Sequence, residues 1–183
     1  MSLAHTTTAE LRVGSLCTGY GGLDLAVELV LRGRLAWYAE TDPHAARVLA
    51  ARWPAVPNLG DIRAVDWPGV EPVDVLTAGF PCQDISNAGK RAGIHGVHSS
   101  LWKTVADAVR ALQPPLVFVE NVAALLRRGL DVVHADLAAL GYDTRWLCLR
   151  ASDIGAAHRR DRLFLLAIRT DRAADDVADA VRA

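Results

Sequence analysis

Short apolar runs alternate with turns and with stretches of helical periodicity along most of the chain. Residues 35–39, 73–77 and 116–119 have the length and composition of buried strands, and residues 101–112 place apolar side chains on one helical face. Such alternation is typical of an open, mostly parallel α/β sheet with helices on both faces. The pattern predicts seven strands, near residues 13, 35, 58, 73, 116, 143 and 162.

The first predicted strand, residues 12–17, runs into a glycine-rich turn. Residues 18–22 read Thr-Gly-Tyr-Gly-Gly, and the helical pattern that follows is ended by Gly33. These glycines let the backbone approach a ligand closely, and the first turn of the helix has free N–H groups. The turn lacks the complete glycine fingerprint of dinucleotide sites, so a simple tight turn stays an alternative to a cofactor site.

Acidic residues follow the second and third predicted strands. Asp42, directly before Pro43, fits a helix N-cap with proline at the first helical position. Glu40 is therefore the candidate ligand for ribose hydroxyls at the end of the second strand. Asp61 and Ile62 follow the short strand near residue 58, where an adenine ring could be held.

A cysteine follows the predicted strand at residues 73–77. Residues 79–83 read Gly-Phe-Pro-Cys-Gln, and residues 84–100 form a loop rich in Gly, Ser and basic residues. Cys82, where a buried strand meets this loop, is well placed to be a nucleophile. The alternative is that Cys82 is a small buried apolar residue, the usual role of a free cysteine.

Glu120 ends the apolar strand at residues 116–119. Adjacent strands end at the same edge of a sheet, so we expect Glu120 near Cys82, as an acid beside a nucleophile. A carboxylate there is costly unless it is paired or functional, and the alternative is a structural carboxylate that caps the next helix. Residues 158–162, His-Arg-Arg-Asp-Arg, lead into the last strand, where their arginines can hold phosphate or a base carbonyl.

The composition fits one domain of 183 residues, with a core at residues 12–168 and a peripheral tail at residues 169–183. The net charge of −1 excludes a polycation, but residues 79–128 carry six Lys and Arg against three acids. This excess indicates either a phosphate-facing patch or a solvated loop face. Three widely spaced cysteines argue against a disulfide framework and a zinc site, and no run is long enough to span a membrane. We therefore expect a cytoplasmic protein.

Taken in order, these motifs resemble those of the DNA (cytosine-5) methyltransferases over residues 13–168. Residues 16–22 resemble the motif that binds S-adenosylmethionine, and Glu40 matches the acid that binds its ribose. Asp61 and Ile62 match the adenine contacts. Residues 79–83 are similar to the nucleophile motif, residues 120–122 to the Glu-Asn-Val motif, and residues 158–162 to the Gln-x-Arg-x-Arg motif. The resemblance implies a Rossmann-like methyltransferase fold whose last two strands form an antiparallel hairpin.

The resemblance also implies a reaction: a methyl group passes from S-adenosylmethionine to C5 of a cytosine flipped out of double-stranded DNA. Cys82 would add to C6 as a thiolate, Glu120, if protonated, would donate to N3, and Arg162 would hold the O2 side with support from Arg160. No metal is implied. The implied cofactor-binding residues are Cys17, Thr18, Gly19, Tyr20, Gly21, Gly22, Leu23, Glu40, Thr41, Asp61, Ile62, Gly79 and Pro81. The implied substrate contacts are Gln83, Ser86, Lys90, Arg91, Asn121 and His158.

The sequence departs from the family in three places. His158 stands where the family has Gln, and His98 stands where an Arg is usual shortly before Leu101. Nothing in the sequence resembles the target-recognition domain, or the C-terminal motif that completes the cofactor pocket. We therefore keep three interpretations: a minimal enzyme, or half of a split enzyme with a second subunit; a non-catalytic DNA-binding or regulatory relic; and an RNA cytosine-5 methyltransferase. Restriction-modification, phage self-protection and regulation all stay open as roles of a cytoplasmic, nucleoid-associated bacterial or phage protein.

Overall fold

The structure is a computed structural model that describes residues 10–81 and 101–171. The strands in these ranges are β1 (Arg12–Leu16), β2 (Arg34–Ala39), β3 (Val75–Ala78), β4 (Leu116–Val122), β5 (Tyr142–Arg150) and β6 (Asp161–Arg169). The α-helices are α1 (Gly22–Leu31), α2 (Pro43–Arg52), α3 (Leu101–Leu112), α4 (Leu125–Arg128) and α5 (Leu130–Ala139). The α/β architecture predicted from the apolar pattern is confirmed.

The described strands form one mixed sheet in the order β2-β1-β3-β4-β6-β5. The first four of these are parallel, whereas β6 runs antiparallel to both β4 and β5. The predicted terminal hairpin is therefore confirmed. Because Leu16, Ala39, Ala78 and Val119 are aligned by the parallel registers, all four parallel strands point their carboxyl ends at one edge of the sheet.

The prediction of a seventh strand near residue 58 is wrong for the described part of the chain, where the sheet has six strands. Asn58 makes a single parallel bridge to Tyr38, with Leu59 donating to the Tyr38 carbonyl over 2.7 Å. Pro57 has no N–H to extend this ladder on one side. Gly60 turns the chain away on the other side, with a φ of 73°.

Helices cover both faces of the sheet, as predicted. On one face, α3 and α5 bury Val109 and Val133 in the larger apolar cluster. On the other face, α1 and α2 bury Val27 and Leu49 in a second cluster. Asp42 caps α2 as predicted, since its carboxylate accepts from the backbone N–H groups of both His44 and Ala45.

Strand β2 contains a bulge where it pairs with β1. Val13 pairs with Leu35 but Gly14 pairs with Trp37, so Ala36 is an extra residue and the register shifts there. The Trp37 ring lies directly over Gly14, and a Cβ atom added there would overlap with it. Trp37 is 1% exposed, so it has no room to retreat. Glycine is therefore required at position 14 by close packing.

We expect Gly14→Ala to lower the free energy of unfolding by about 1–3 kcal/mol, because the added methyl group overpacks the core against Trp37. Gly22→Ala is the matched control: a Cβ atom at this helical position meets nothing within 4 Å. Chemical denaturation of both variants measures the difference. Equal losses of stability in the two would contradict the role assigned to Trp37.

Candidate active site

The glycine-rich turn forms the floor of the site at the end of β1. Cys17, Gly19 and Gly21 have positive φ values of 52°, 57° and 76°, which fold the chain back before α1 begins. Gly21 packs against Trp53, whose ring would lie 2.7 Å from an added Cβ atom. Gly19, by contrast, faces open space. The turn therefore rests on the core through Gly21 and opens toward a possible ligand at Gly19.

Glu40 is held firmly beside this turn. One carboxylate oxygen accepts from the Gly19 N–H over 2.7 Å, and the other accepts from the Asp42 N–H over 2.7 Å. The Asn58 side chain also bonds the backbone of Glu40, donating to its carbonyl over 3.0 Å and accepting from its N–H over 3.1 Å. Asn58 is a supporting residue that sequence reasoning missed, because only the fold brings it next to Glu40.

Two cavities meet above these residues. The larger, of about 560 Å³, is lined by residues of the turn and by Glu120, Arg160 and Arg162; the smaller, of about 270 Å³, lies beside Glu40. Both are lined by Cys17, Gly19 and Gly79, so they adjoin at that point. Of the predicted cofactor residues, Thr18, Tyr20, Gly22 and Leu23 line the larger cavity, and Glu40, Thr41, Asp61, Ile62 and Pro81 line the smaller one. Gly21 is not among the described residues that line either.

Asp61 has a partner that the sequence did not reveal. Arg63 donates to both Asp61 oxygens, with its Nη2 2.6 Å from Oδ2 and its Nε 2.9 Å from Oδ1. This pairing is the main cause that holds the pKa of Asp61 below its ordinary value. Arg63 also lines the smaller cavity. A ligand at Asp61 therefore meets a carboxylate whose two oxygens are already oriented by a guanidinium group.

The acid and the arginines come together in the wall of the larger cavity. Arg162 Nε lies 2.7 Å from Glu120 Oε1, and the two side chains are 22% and 24% exposed. Arg160 Nη2 lies farther from the same oxygen, at 4.0 Å, and its side chain is 60% exposed. Glu120 lies near the end of its strand, as predicted: β4 ends two residues later at Val122, and Glu120 pairs with Phe164 of β6. Arg162 supplies the partner that a carboxylate in this position requires.

A buried polar cluster supports the site from below. Asp24 in the first turn of α1 is 1% exposed, and it accepts a short hydrogen bond from the hydroxyl of Thr77 at the end of β3. Ser15 in β1 and these two residues all line the larger cavity. Burial raises the pKa of Asp24, and hydrogen bonds from Thr77 and Ser15 offset part of that rise. No sequence motif signalled this cluster, which joins three separate elements.

The remaining predicted residues are placed as follows. Asn121 is 2% exposed; its side-chain amide donates to the Phe80 carbonyl over 3.0 Å, and its oxygen accepts from the Val122 N–H. Asn121 thus ties β4 to the backbone two residues before Cys82. His158 is exposed and is not among the described residues that line the two cavities. Cys82, Gln83, Ser86, Lys90, Arg91 and His98 lie outside the described residues, so their roles stay predictions.

Cys17 is a second thiol next to the site, but it is poorly suited to attack. Burial, with smaller contributions from Glu40 and Asp61, raises the pKa of Cys17 to about 12. It is therefore a thiol rather than a thiolate at neutral pH. Within residues 10–81 and 101–171, no group of three or more His, Cys, Asp and Glu side chains could hold a metal ion. In the same ranges, no helix is long and apolar enough to cross a membrane.

Comparisons with known proteins agree on one family. Residues 11–180 match the family model described as C-5 cytosine-specific DNA methylase. The chain is 35% identical over 150 residues to Type II methyltransferase M.CviJI of Paramecium bursaria Chlorella virus IL3A, covering 80% of this chain and 40% of that protein. It is 33% identical over 166 residues to Type II methyltransferase M2.BsuMI of Bacillus subtilis (strain 168), covering 86% and 42%. The chain thus spans about 40% of the length of these curated relatives.

Solved structures share the fold. The Dnmt2 methyltransferase of S. pombe superposes with a TM-score of 0.74 at 20% identity, over 93% of this chain and 55% of that one. The Entamoeba histolytica methyltransferase EhMeth superposes with a TM-score of 0.73 at 16% identity, over 88% and 53%. At these identities the likeness concerns the fold.

The buried carboxyl of Asp24 should make stability fall as pH rises. Its pKa is raised in the folded state, so its favourable contribution is complete below the unfolded pKa and is lost as pH rises through the folded pKa. Asp24→Asn keeps an acceptor for Thr77 but does not ionise. We therefore expect the variant to gain free energy of unfolding relative to wild type as pH rises above the ordinary pKa of an aspartate, about 3.9.

Asp42→Asn is the control of opposite sign. Backbone N–H groups lower the pKa of Asp42, so its contribution is present at high pH and is lost as pH falls. Denaturant titrations at several pH values give both difference curves. Parallel stability curves for wild type and Asp24→Asn would contradict the role of burial at this position.

Proposed function

Since this chain belongs to the C-5 cytosine-specific DNA methylase family, we propose that it transfers a methyl group from S-adenosylmethionine to C5 of a cytosine in DNA. The observation that carries the proposal is the arrangement of the two cavities. They adjoin at Cys17, Gly19 and Gly79, and the Glu120–Arg162 pair lines the larger one. A long cofactor lying across both would present one end to these polar side chains.

The residues of the cavities fit S-adenosylmethionine. Glu40 keeps both oxygens fixed by backbone N–H groups and can still accept from ribose hydroxyls. Ile62, 3% exposed, offers an apolar surface for adenine in the same cavity. The turn before α1 brings the free N–H groups of the helix start toward a carboxylate. When bound, this cofactor supplies an electrophilic methyl group.

Cys82 is the proposed nucleophile. Its thiolate forms a bond to C6 of cytosine, and the electrons of the C5–C6 double bond make C5 nucleophilic. Phe80 and Pro81 fix the chain on its approach to Cys82, because the Phe80 carbonyl accepts from the buried Asn121 amide. The contribution proposed for Asn121 is therefore to hold the backbone that carries the nucleophile.

Glu120 and Arg162 are proposed to stabilise the charge that develops on the base. Glu120, once protonated, donates to N3 as the thiolate adds to C6. Its Oε2 faces Gly79, toward the segment that leads to Cys82. Arg162 is held by Nε on Glu120 and by Nη1 on the Asp161 carbonyl at 3.0 Å, so Nη2 can donate to cytosine O2. Loss of the C5 proton to a base then restores the double bond and expels the Cys82 sulfur.

The proposed substrate is double-stranded DNA with the target cytosine flipped out, since C5 and C6 are out of reach inside the stack. The relatives named Type II methyltransferases support a role in restriction-modification. The chain spans about 40% of the length of these relatives. We propose separately that a further polypeptide segment, in a second subunit, supplies target recognition.

An open apolar groove supports the need for such a segment. It has a volume of about 270 Å³ between α1 and the exposed face of β4 and β6, and its lining includes Val27, Leu31, Phe118 and Leu166. Val30 of α1 also lines the groove, and 61% of this apolar residue is exposed to solvent. Ala26 lines both this groove and the larger cavity. A segment seated in the groove would therefore also border the cofactor site, as the C-terminal motif of the family does.

The proposal predicts methyl transfer from labelled S-adenosylmethionine to duplex DNA, measured with and without an added partner subunit. Cys82→Ser should abolish transfer, and Glu120→Gln should slow it by about 10²–10⁴-fold because proton donation to N3 is lost. Glu28→Gln is the matched control, since Glu28 is also partly buried but accepts from the Leu35 N–H instead. Transfer to RNA alone would identify RNA, rather than DNA, as the substrate. No transfer to either nucleic acid with the partner present would refute the proposed enzymatic activity.

The covalent step is tested separately with DNA that contains 5-fluorocytosine. Fluorine at C5 cannot leave as a proton would, so the Cys82–C6 bond should persist after methyl transfer. We expect a denaturation-resistant complex with wild type and none with Cys82→Ser. An adduct that forms without Cys82 would remove it as the nucleophile.

A further inference from the structure

A basic cavity lies beside the terminal hairpin, apart from the two cavities of the proposed active site. It has a volume of about 440 Å³, and its lining includes Arg127, Arg128, Arg150, Asp161, Cys148 and Ala124. We propose that this basic cavity binds the phosphodiester backbone of the DNA substrate. The choice of DNA as the nucleic acid rests on the proposed function. The choice of phosphate as the group that is bound rests on the residues that line the cavity.

The position of the cavity suits a duplex that reaches the active site. Arg150 pairs with Asp161 at the start of β6, and the next residue, Arg162, pairs with Val122 at the end of β4. Successive side chains of a strand point to opposite faces. Asp161 therefore borders the basic cavity while Arg162 borders the cavity of Glu120. DNA lying along this edge of the sheet can contact both sides of β6 at once.

The charge of this region differs from that of the whole chain. Residues 121–128 and 145–162 together contain seven arginines and no lysine, against two aspartates, whereas the chain has a net charge of −1. Guanidinium groups bind phosphate oxygens in pairs of parallel hydrogen bonds. Concentrated arginine at one end of an otherwise slightly acidic protein therefore favours a phosphate ligand there, rather than general attraction to polyanions.

Two arginines of the cavity, Arg127 and Arg150, are exposed and can reach a phosphate group. Arg150 meets Asp161 at 3.5 Å, and their side chains are 60% and 41% exposed, so this ion pair gives up little when a phosphate replaces it. Arg127 is exposed in the last turn of α4. Ala123 and Ala124 form part of the wall, and their small side chains leave room for a phosphate group between the arginines. The single Asp161 carboxylate opposes anion binding but is outnumbered.

Cys148 provides a direct probe of occupancy, because it is exposed and lines the cavity. We would measure its alkylation by iodoacetamide with and without a short duplex DNA, identifying the modified cysteine by peptide mass mapping. We expect DNA to slow the labelling of Cys148 severalfold. The protection should disappear in the double variant Arg127→Glu/Arg150→Glu, comparing rates within each variant because the substitutions alter the thiol environment.

Arg110→Glu is the matched control. Arg110 also forms an exposed ion pair with an aspartate, Asp107, and its side chain is 60% exposed like that of Arg150. It lies in the last turn of α3, which leads to the start of β4, at the edge of the sheet opposite to the basic cavity. Protection of Cys148 should survive this change. Equal protection in the Arg127→Glu/Arg150→Glu variant, or no protection in wild type, would overturn the proposal, and protection by duplex RNA but not DNA would overturn the choice of DNA.

Salt dependence gives an independent readout. If two phosphate contacts are lost, the slope of log affinity against log salt concentration for Arg127→Ala/Arg150→Ala should fall by about 2, measured by fluorescence anisotropy. Methyl transfer by the same variant should show a raised KM for DNA with kcat unchanged. Cys82→Ser should lose transfer but keep the protection of Cys148. Protection without transfer in wild type would refute only the proposed function, whereas transfer without protection would refute only the basic cavity.

Discussion

The antiparallel pairing of β6 with β4 is the constraint on which the site depends. Seven residue pairs, from Leu116 with Ile168 to Val122 with Arg162, fix the two strands against each other. Because β6 runs opposite to β4, it begins at the edge where the parallel strands end. A parallel β6 would begin at the other edge and leave Glu120 without its 2.7 Å partner. The direction of β6 therefore places Arg160 and Arg162, which are distant from Glu120 in the sequence, beside its carboxylate.

The site also depends on carboxyl groups that are held in fixed positions around the two cavities, near the glycine turn and the strand ends. Glu40 is immobilised by two backbone N–H groups, and Asp24 is buried beneath the larger cavity with Thr77. Holding a carboxyl such as Asp24 away from water is costly, and its raised pKa expresses that cost. The buried cluster of Asp24, Thr77 and Ser15 holds α1, β3 and β1 in a fixed arrangement around the larger cavity.

Structural features that depend on neighbouring residues in the sequence were predicted correctly. The Asp42 cap, the turn before α1 and the bounds of α3 all follow from neighbouring residues, and the structure confirms them. Arg63, Asn58 and Asp24 were missed because their importance arises from partners brought close by folding. The strand predicted near residue 58 is reduced to a single bridge between Asn58 and Tyr38, because Pro57 and Gly60 interrupt the pairing on either side. Residues 82–100 lie outside the described structure, so the nucleophile itself rests on sequence and family.

Consecutive residues of β6 border two different cavities: Asp161 borders the basic cavity, and Arg162 borders the cavity of Glu120. The proposed binding of the DNA backbone and the proposed contact with the base can therefore be provided by different arginines. Arg162 is tied by Glu120 and by the Asp161 carbonyl, so little of its charge is free to attract a polyanion from solution. An arginine that must meet one base atom needs this rigidity. Arg127 and Arg150, by contrast, are exposed and loosely held, which suits contacts to a uniform backbone. Asp161, the partner of Arg150, and Arg162 are consecutive residues of β6 that border different cavities, so DNA bound at the proposed basic cavity would lie next to the rigid arginine.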